Sequence, residues 1–96
     1  MIEQVDERYL VRGSLVLEQA ESLLEEGLRL FEKQALPIDF SGVDEVDSSG
    51  LALLFEWERA TRRRNQALRF VNLPASLKQL AELYGVIDIV NGLERS

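Results

Sequence analysis

The stretch Asp39-Phe40-Ser41-Gly42-Val43-Asp44-Glu45-Val46-Asp47-Ser48-Ser49-Gly50-Leu51-Ala52-Leu53-Leu54 constrains the fold of this chain more than any other. It reads as a short apolar strand that passes through a polar turn into a helix, with two hydroxyls at the helix start. Backbone N–H groups in a first helical turn have no intrahelical partner, and the helix dipole adds about half a positive charge there. An anion, or a phosphoryl group on Ser48 or Ser49, would be stabilised at that point, which makes the turn a candidate switch or docking site. The plainer role for Asp47, Ser48 or Ser49 is to cap the helix, a contribution of about 1 kcal/mol.

The segments on either side alternate between strand and helix patterns. Ile2 to Val5 and Tyr9 to Val11 read as two short strands around a polar Asp6-Glu7 turn, with Gly13 breaking the pattern. From Glu18 to Gln34, Ala20, Leu23, Leu24, Leu28 and Phe31 follow the spacing of an amphipathic helix, and Glu18 and Glu21 suit its positive end. Leu28 and Leu30 widen its apolar arc to roughly 160°, against the ~100° that a surface helix must bury. The excess serves either a deep sheet groove, the reading favoured here, or a partner. Leu36 to Phe40 is a strand with Pro37 at its start, where a missing N–H is tolerated, and Ile38 and Phe40 point one way.

The helix opened at Asp47 begins with five consecutive apolar residues and ends polar, with Glu58 and Arg62 spaced for an i, i+4 ion pair. Arg62-Arg63-Arg64 complements the negative end of the dipole, the reading preferred over an acidic partner or a membrane phosphate. Trp57 is read as core. Leu68 to Val71 gives another strand. A helix then enters at Pro74, places Leu77, Leu80, Ala81 and Tyr84 on one face, and ends at Gly85 in a left-handed cap. Val86 to Val90 is a terminal strand or a packed tail. No repeat, low-complexity segment or linker divides the chain, so residues 1–96 are expected to form a single domain. Its class is α/β: a mixed four- to five-stranded sheet with an initial hairpin and three helices mainly on one side.

Composition narrows the chemistry. Ninety-six residues that are 46% apolar suit one compact core. A net charge of −6 argues against a nucleic-acid partner that needs a broad positive surface. Neither cysteine nor histidine is present, which removes disulfides, thiolates and the usual general base and zinc ligands. An enzyme, a metal site and a cofactor are therefore not expected, and no catalytic residue is assigned. The longest apolar run, Leu51 to Phe55, is far short of the ~20 residues of a membrane helix, and the acidic start lacks a signal-peptide pattern. The expectation is a cytoplasmic protein without direct membrane insertion.

Ile38-Asp39-Phe40-Ser41-Gly42-Val43 and Val46-Asp47-Ser48-Ser49-Gly50-Leu51 resemble the signature of the STAS domain family, and the resemblance covers nearly the whole chain. Leu51 to Trp57, Asn72-Leu73-Pro74 and Leu80 to Val86 look most like its MlaB branch, the toluene-tolerance type found in phospholipid-trafficking ABC transporters. The resemblance implies the STAS fold. It also implies a non-catalytic subunit that binds and stabilises or regulates the transporter's ATPase, and a place for this chain at the inner face of the membrane through that complex. On this reading Asp44, Asp47, Ser48, Ser49 and Gly50, with Leu24 and Leu28 of the first helix, form the partner surface.

The alternative that the family implies is an anti-sigma factor antagonist, whose partner is an anti-sigma serine kinase and whose switch is phosphorylation of Ser48. The hydroxyl directly after the Asp is the residue modified in that branch. In MlaB-like proteins the same position, often Thr, resembles an ATPase contact, and this chain departs from them by carrying Ser-Ser. Nucleotide binding at the helix start has little support, because no Gly-x-x-x-x-Gly-Lys loop is present to cradle phosphates.

Overall fold

Ile2–Val5 (β1) and Arg8–Leu15 (β2) pair as the expected antiparallel hairpin, with Ile2 opposite Val11 and Val5 opposite Arg8. Asp6 turns the chain at a φ of 55°, a left-handed conformation that aspartate tolerates better than most residues. The computed structural model describes residues 1–66 and 68–95, which form four strands and four helices. After the hairpin come Leu17–Lys33 (α1), Ile38–Val46 (β3), Ser48–Arg63 (α2), Phe70–Val71 (β4), Ala75–Leu83 (α3) and Ile87–Arg95 (α4). The sheet order is β1-β2-β3-β4, with β3 parallel to both neighbours. The result is the expected α/β architecture, a mixed sheet with its hairpin first.

Two readings of the sequence need correction. Ser41 to Val46, taken as a polar turn, continues β3 and pairs with β2 as far as Leu15 opposite Val46. Register shifts beside Leu10/Arg12 and Gly13/Ser14 insert extra β3 residues, so polar residues are absorbed in bulges while Val43 and Val46 still pack against the core. A Cβ on Gly42 would lie 2.8 Å from the Val11 carbonyl oxygen, which explains glycine at this close approach. Gly13, at φ +92°, bends β2 without ending it. At the other end, Val86 to Val90, read as a terminal strand or a packed tail, packs as a helix: Ile87 opens α4, which buries Val90.

The cap at Gly85 forms as its position predicts. Gly85 has φ +74°, its N–H donates to the Glu82 carbonyl at 3.1 Å, and the Val86 N–H reaches back to Ala81 at 2.8 Å. These two bonds satisfy the last carbonyls of α3 and turn the chain toward α4. Glu94 of α4 then accepts from the Leu73 N–H at 3.2 Å and pairs with Lys78 at 2.7 Å, tying the two helices together.

The core is one cluster between the sheet and the helices, centred on aromatic rings in sequence. Tyr9 meets Phe31 at 5.3 Å, Phe31 meets Trp57 edge-on at 5.3 Å, and Phe40 lies between Trp57 at 6.4 Å and Phe70 at 5.5 Å. Trp57 is fully buried, and its Nε1 donates to the Leu24 carbonyl at 3.3 Å. Gly27 makes room for it, because a Cβ there would lie 2.4 Å from that nitrogen.

This contact sets two effects against each other in Gly27→Ala. Alanine favours a helix interior by roughly 0.5–1 kcal/mol, whereas overpacking a filled core costs about 1–3 kcal/mol. Trp57 is held by rings on both sides, so the clash should win and stability should fall by about 1–2 kcal/mol. Denaturant unfolding followed by fluorescence of Trp57, the only tryptophan, measures this; a stabilised variant would mean that the ring does not seat on Gly27.

Candidate functional site

The Asp47-Ser48-Ser49-Gly50 tetrapeptide lies where β3 hands over to α2, and its four residues do different things. Asp47 is the N-cap of α2 and accepts from the Ser49 N–H at 2.8 Å. Its second carboxylate oxygen accepts from the Leu17 N–H at 3.1 Å, at the start of α1. One carboxylate thus caps two helices, and α1 needs it because its own N-cap, Val16, makes no side-chain bond. Partial burial acts to raise the Asp47 pKa, but the Leu17 and Ser49 bonds outweigh it and hold the group below the ordinary aspartate value.

Gly50 is buried, and its position is explained by packing: a Cβ there would lie 2.8 Å from the Leu15 carbonyl oxygen and 2.9 Å from its Cβ. Glycine therefore lets the first turn of α2 close on the end of β2. Ser49 is half-buried, and Ser48 is exposed. No hydrogen bond among the described residues occupies the Ser48 hydroxyl. Of the two hydroxyls noted in the sequence, Ser48 is the one left accessible.

Two shallow apolar grooves flank this turn and share Ala52 of α2. The first, about 280 Å³, runs between α1 and α2 over Ala20, Leu24, Ser49, Ala52 and Leu53, with Glu21 and Glu56 on its lining. The second, about 410 Å³, lies toward α3 and is lined by Ser48, Leu51, Ala52, Phe55, Tyr84 and Val86. Leu24 therefore joins the surface beside Ser49, as the sequence reading placed it. Leu28 packs against the core and does not line either groove. Asp44 is exposed on β3, three residues before the cap.

Tyr84, Val86 and Phe55 were not foreseen as part of this surface. Tyr84 is read from periodicity as sharing one face of α3 with the buried Leu77 and Ala81, yet it is 57% exposed just after the last turn of that helix. The exposed large side chains Leu83 and Ile89 occur in the same α3–α4 region. The arginine run at the end of α2 is engaged locally: Arg62 pairs with Glu58, and Arg64 approaches Glu32 at 3.8 Å.

A second polar cluster lies on the opposite face of the sheet. Buried Asp39 accepts from Arg8 Nε at 2.9 Å, the Ser41 N–H at 2.9 Å and Asn72 Nδ2 at 3.1 Å. Burial pushes its pKa up, and these bonds more than reverse the effect, leaving it below the ordinary value. Asp39 thereby joins β2, β3 and the segment after β4, a structural role. Among the described residues no group of three or more acidic side chains is placed to hold a metal ion, and no helix is long and apolar enough to cross a membrane.

The family described as Mlab, STAS domain matches residues 6–91. The chain is also similar to solved structures. One is the anti-sigma factor antagonist SpoIIAA in its unphosphorylated form, at 16% identity over 96% of this chain and 97% of that one, with a TM-score of 0.63. Another is a sulfate transporter family protein from Wolinella succinogenes, at 20% identity over 86% and 69% of the two chains, with a TM-score of 0.64. A candidate anti-sigma factor antagonist from Thermotoga maritima gives 16% identity, 93% and 80% coverage and a TM-score of 0.65. At these identities the likeness is one of fold. No curated protein matches the chain in sequence.

The double cap generates a prediction that separates Asp47 from Ser48. Asp47→Ala removes a bond from each helix start and should cost about 1–3 kcal/mol at neutral pH, whereas Ser48→Ala should stay within about 0.5 kcal/mol of the parent. Because the folded-state pKa of Asp47 is lowered, its stabilisation is present above the unfolded value and is lost as pH falls through the folded one. Urea unfolding from pH 7 downward should show the Asp47→Ala deficit shrinking below about pH 4; a deficit that does not change with pH would dismiss the carboxylate as the cap.

Proposed function

The chain belongs to the MlaB-type STAS domain family, and on that premise we propose that it is a non-catalytic subunit that docks on the ATPase of a phospholipid-trafficking ABC transporter and stabilises or regulates it. The observation that carries this reading is the pair of open apolar grooves meeting at Ala52, with Ser48 in one and Ser49 in the other. A partner element laid across the start of α2 would cover both grooves and the exposed hydroxyl together. Such a surface, an apolar centre with polar edges, is what a protein interface requires. Asp44, Ser48, Ser49 and Leu24 are the proposed contacts, while Asp47 and Gly50 hold the turn in shape. ATP hydrolysis then belongs to the partner.

A second reading has its own support in the free Ser48 hydroxyl. An anti-sigma factor antagonist would bind its serine kinase partner through the same surface and lose that partner when Ser48 is phosphorylated. A phosphate adds about 1.5 to 2 negative charges beside Asp44, Glu45 and Asp47 and stands at the mouth of the second groove.

Affinity purification from the native cell, with mass spectrometry of the co-purifying proteins and of the peptide containing Ser48, separates the two. The expected result is an ABC ATPase and permease with unmodified Ser48. A serine kinase with phosphorylated Ser48 would replace the transporter reading with the switch. Ser48→Ala should keep the ATPase bound and Ser48→Asp should weaken it, in the same pull-down.

A further inference from the structure

The two grooves are apolar, and the charged side chains that line them carry one sign. Glu21 and Glu56 line the first groove, and among the described residues no lysine or arginine lines either one. Glu21 has no ion-pair partner among the described residues, whereas Glu56 pairs with Arg59 at 2.5 Å. Glu18 and Asp44, both exposed, lie in the first turn of α1 and on the strand that leads into Asp47. An apolar floor whose charged lining is Glu21, unpaired, and Glu56, shared with Arg59, favours an occupant with apolar side chains and positive charge over an anionic one.

We infer that the partner element seated across Ala52 is a cationic amphipathic helix. Its apolar side chains enter the grooves on either side of Ala52, and its lysine or arginine side chains meet Glu21 and Glu56. Ala52 suits this role because its side chain is short and exposed between the two depressions, so a helix can cross it closely. The occupied surface then extends from α1 to Tyr84 and Val86 beyond α3, farther than the Asp-Ser-Ser-Gly turn alone. This inference rests on the docking role proposed above and adds the chemistry of what docks.

The test titrates isotope-labelled protein with a helical peptide of about 18 residues built from leucine and lysine, and with its leucine and glutamate counterpart, following amide chemical shifts. The leucine-lysine peptide should move the amides of Glu21, Leu24, Ala52, Phe55 and Tyr84, and the glutamate peptide should not. Glu21→Lys combined with Glu56→Lys should weaken the leucine-lysine peptide by about tenfold or more and admit the glutamate peptide. The same change in net charge made at Glu7 and Glu32, which line neither groove, should leave affinity within about twofold.

Equal binding of both peptides, shifts confined to the outer sheet face, or an equal loss in the Glu7 and Glu32 variant would overturn the inference. So would sedimentation showing that a second copy of the chain fills the grooves. If the peptide fails while an ABC ATPase still co-purifies through the Ser48 surface, the docking role stands and only the cationic chemistry is lost. If the peptide binds as expected but no ATPase co-purifies, the transporter reading falls and the groove chemistry stands.

Discussion

Two parallel helices that start at the same edge of a sheet bring about four unpartnered N–H groups each to one small region. Asp47 resolves part of that concentration of donors with a single carboxylate, bonded to Leu17 at the start of α1 and to Ser49 at the start of α2. The two positive helix ends keep the carboxylate ionised, and the ionised carboxylate holds the two ends together. Farther along the helix pair, Trp57 reaches Leu24 and Arg64 approaches Glu32. At the far end of α1 the Tyr9 hydroxyl lies 2.9 and 2.8 Å from the Leu30 and Gln34 carbonyls. The helix is therefore pinned at its start by β3 and at its end by β2.

Close approach is the second requirement, and two glycines meet it on the helices. Gly50 lets α2 touch Leu15, and Gly27 lets α1 touch Trp57. The indole then joins the rings of Phe31 and Phe40, so that α1, α2 and the central strand share one packed unit. On the other side of the sheet no comparable apolar layer forms. Leu10 is nearly buried in register between Glu3 and Asp39, and the Glu3–Arg12 and Arg8–Asp39 pairs lie around it. The apolar grooves consequently lie on the helical side, where α1 and α2 begin.

Elements whose pattern agrees with their local chemistry were legible in the sequence: the hairpin, the amphipathic α1, the start of α2 at Asp47 and the glycine cap after α3. Ser41 to Val46 was not, because serine, glycine and aspartate signal a turn, and only pairing with β2 shows that bulges absorb them. Val86 to Val90 was ambiguous for a different reason, since a short apolar run does not by itself distinguish a strand from a buried helix. What decides it lies outside the run, in the Gly85 turn, the burial of Val90 and the tie from Glu94 to Lys78 and Leu73. The grooves were half legible. Ser48, Ser49 and Leu24 could be placed from motif and period, but Phe55, Tyr84 and Val86 come together only through the packing of α3 against α2.

The division of labour within the tetrapeptide bears on what a phosphate at Ser48 would do. The helix start is attractive to anions in general, yet here Asp47 already takes the Ser49 N–H, and no cationic side chain lines the groove beside Ser48. A phosphate would thus find little of the stabilisation that a helix N-terminus usually offers. It would also leave intact the two bonds that hold the fold, because both belong to Asp47 and neither involves the Ser48 side chain. Its consequence falls on whatever covers the second groove: bulk at the groove mouth and added negative charge on a surface that is already acidic. The residue that maintains the turn, Asp47, is thereby separate from the exposed hydroxyl of Ser48, so a change at Ser48 would leave the helices beneath it in place.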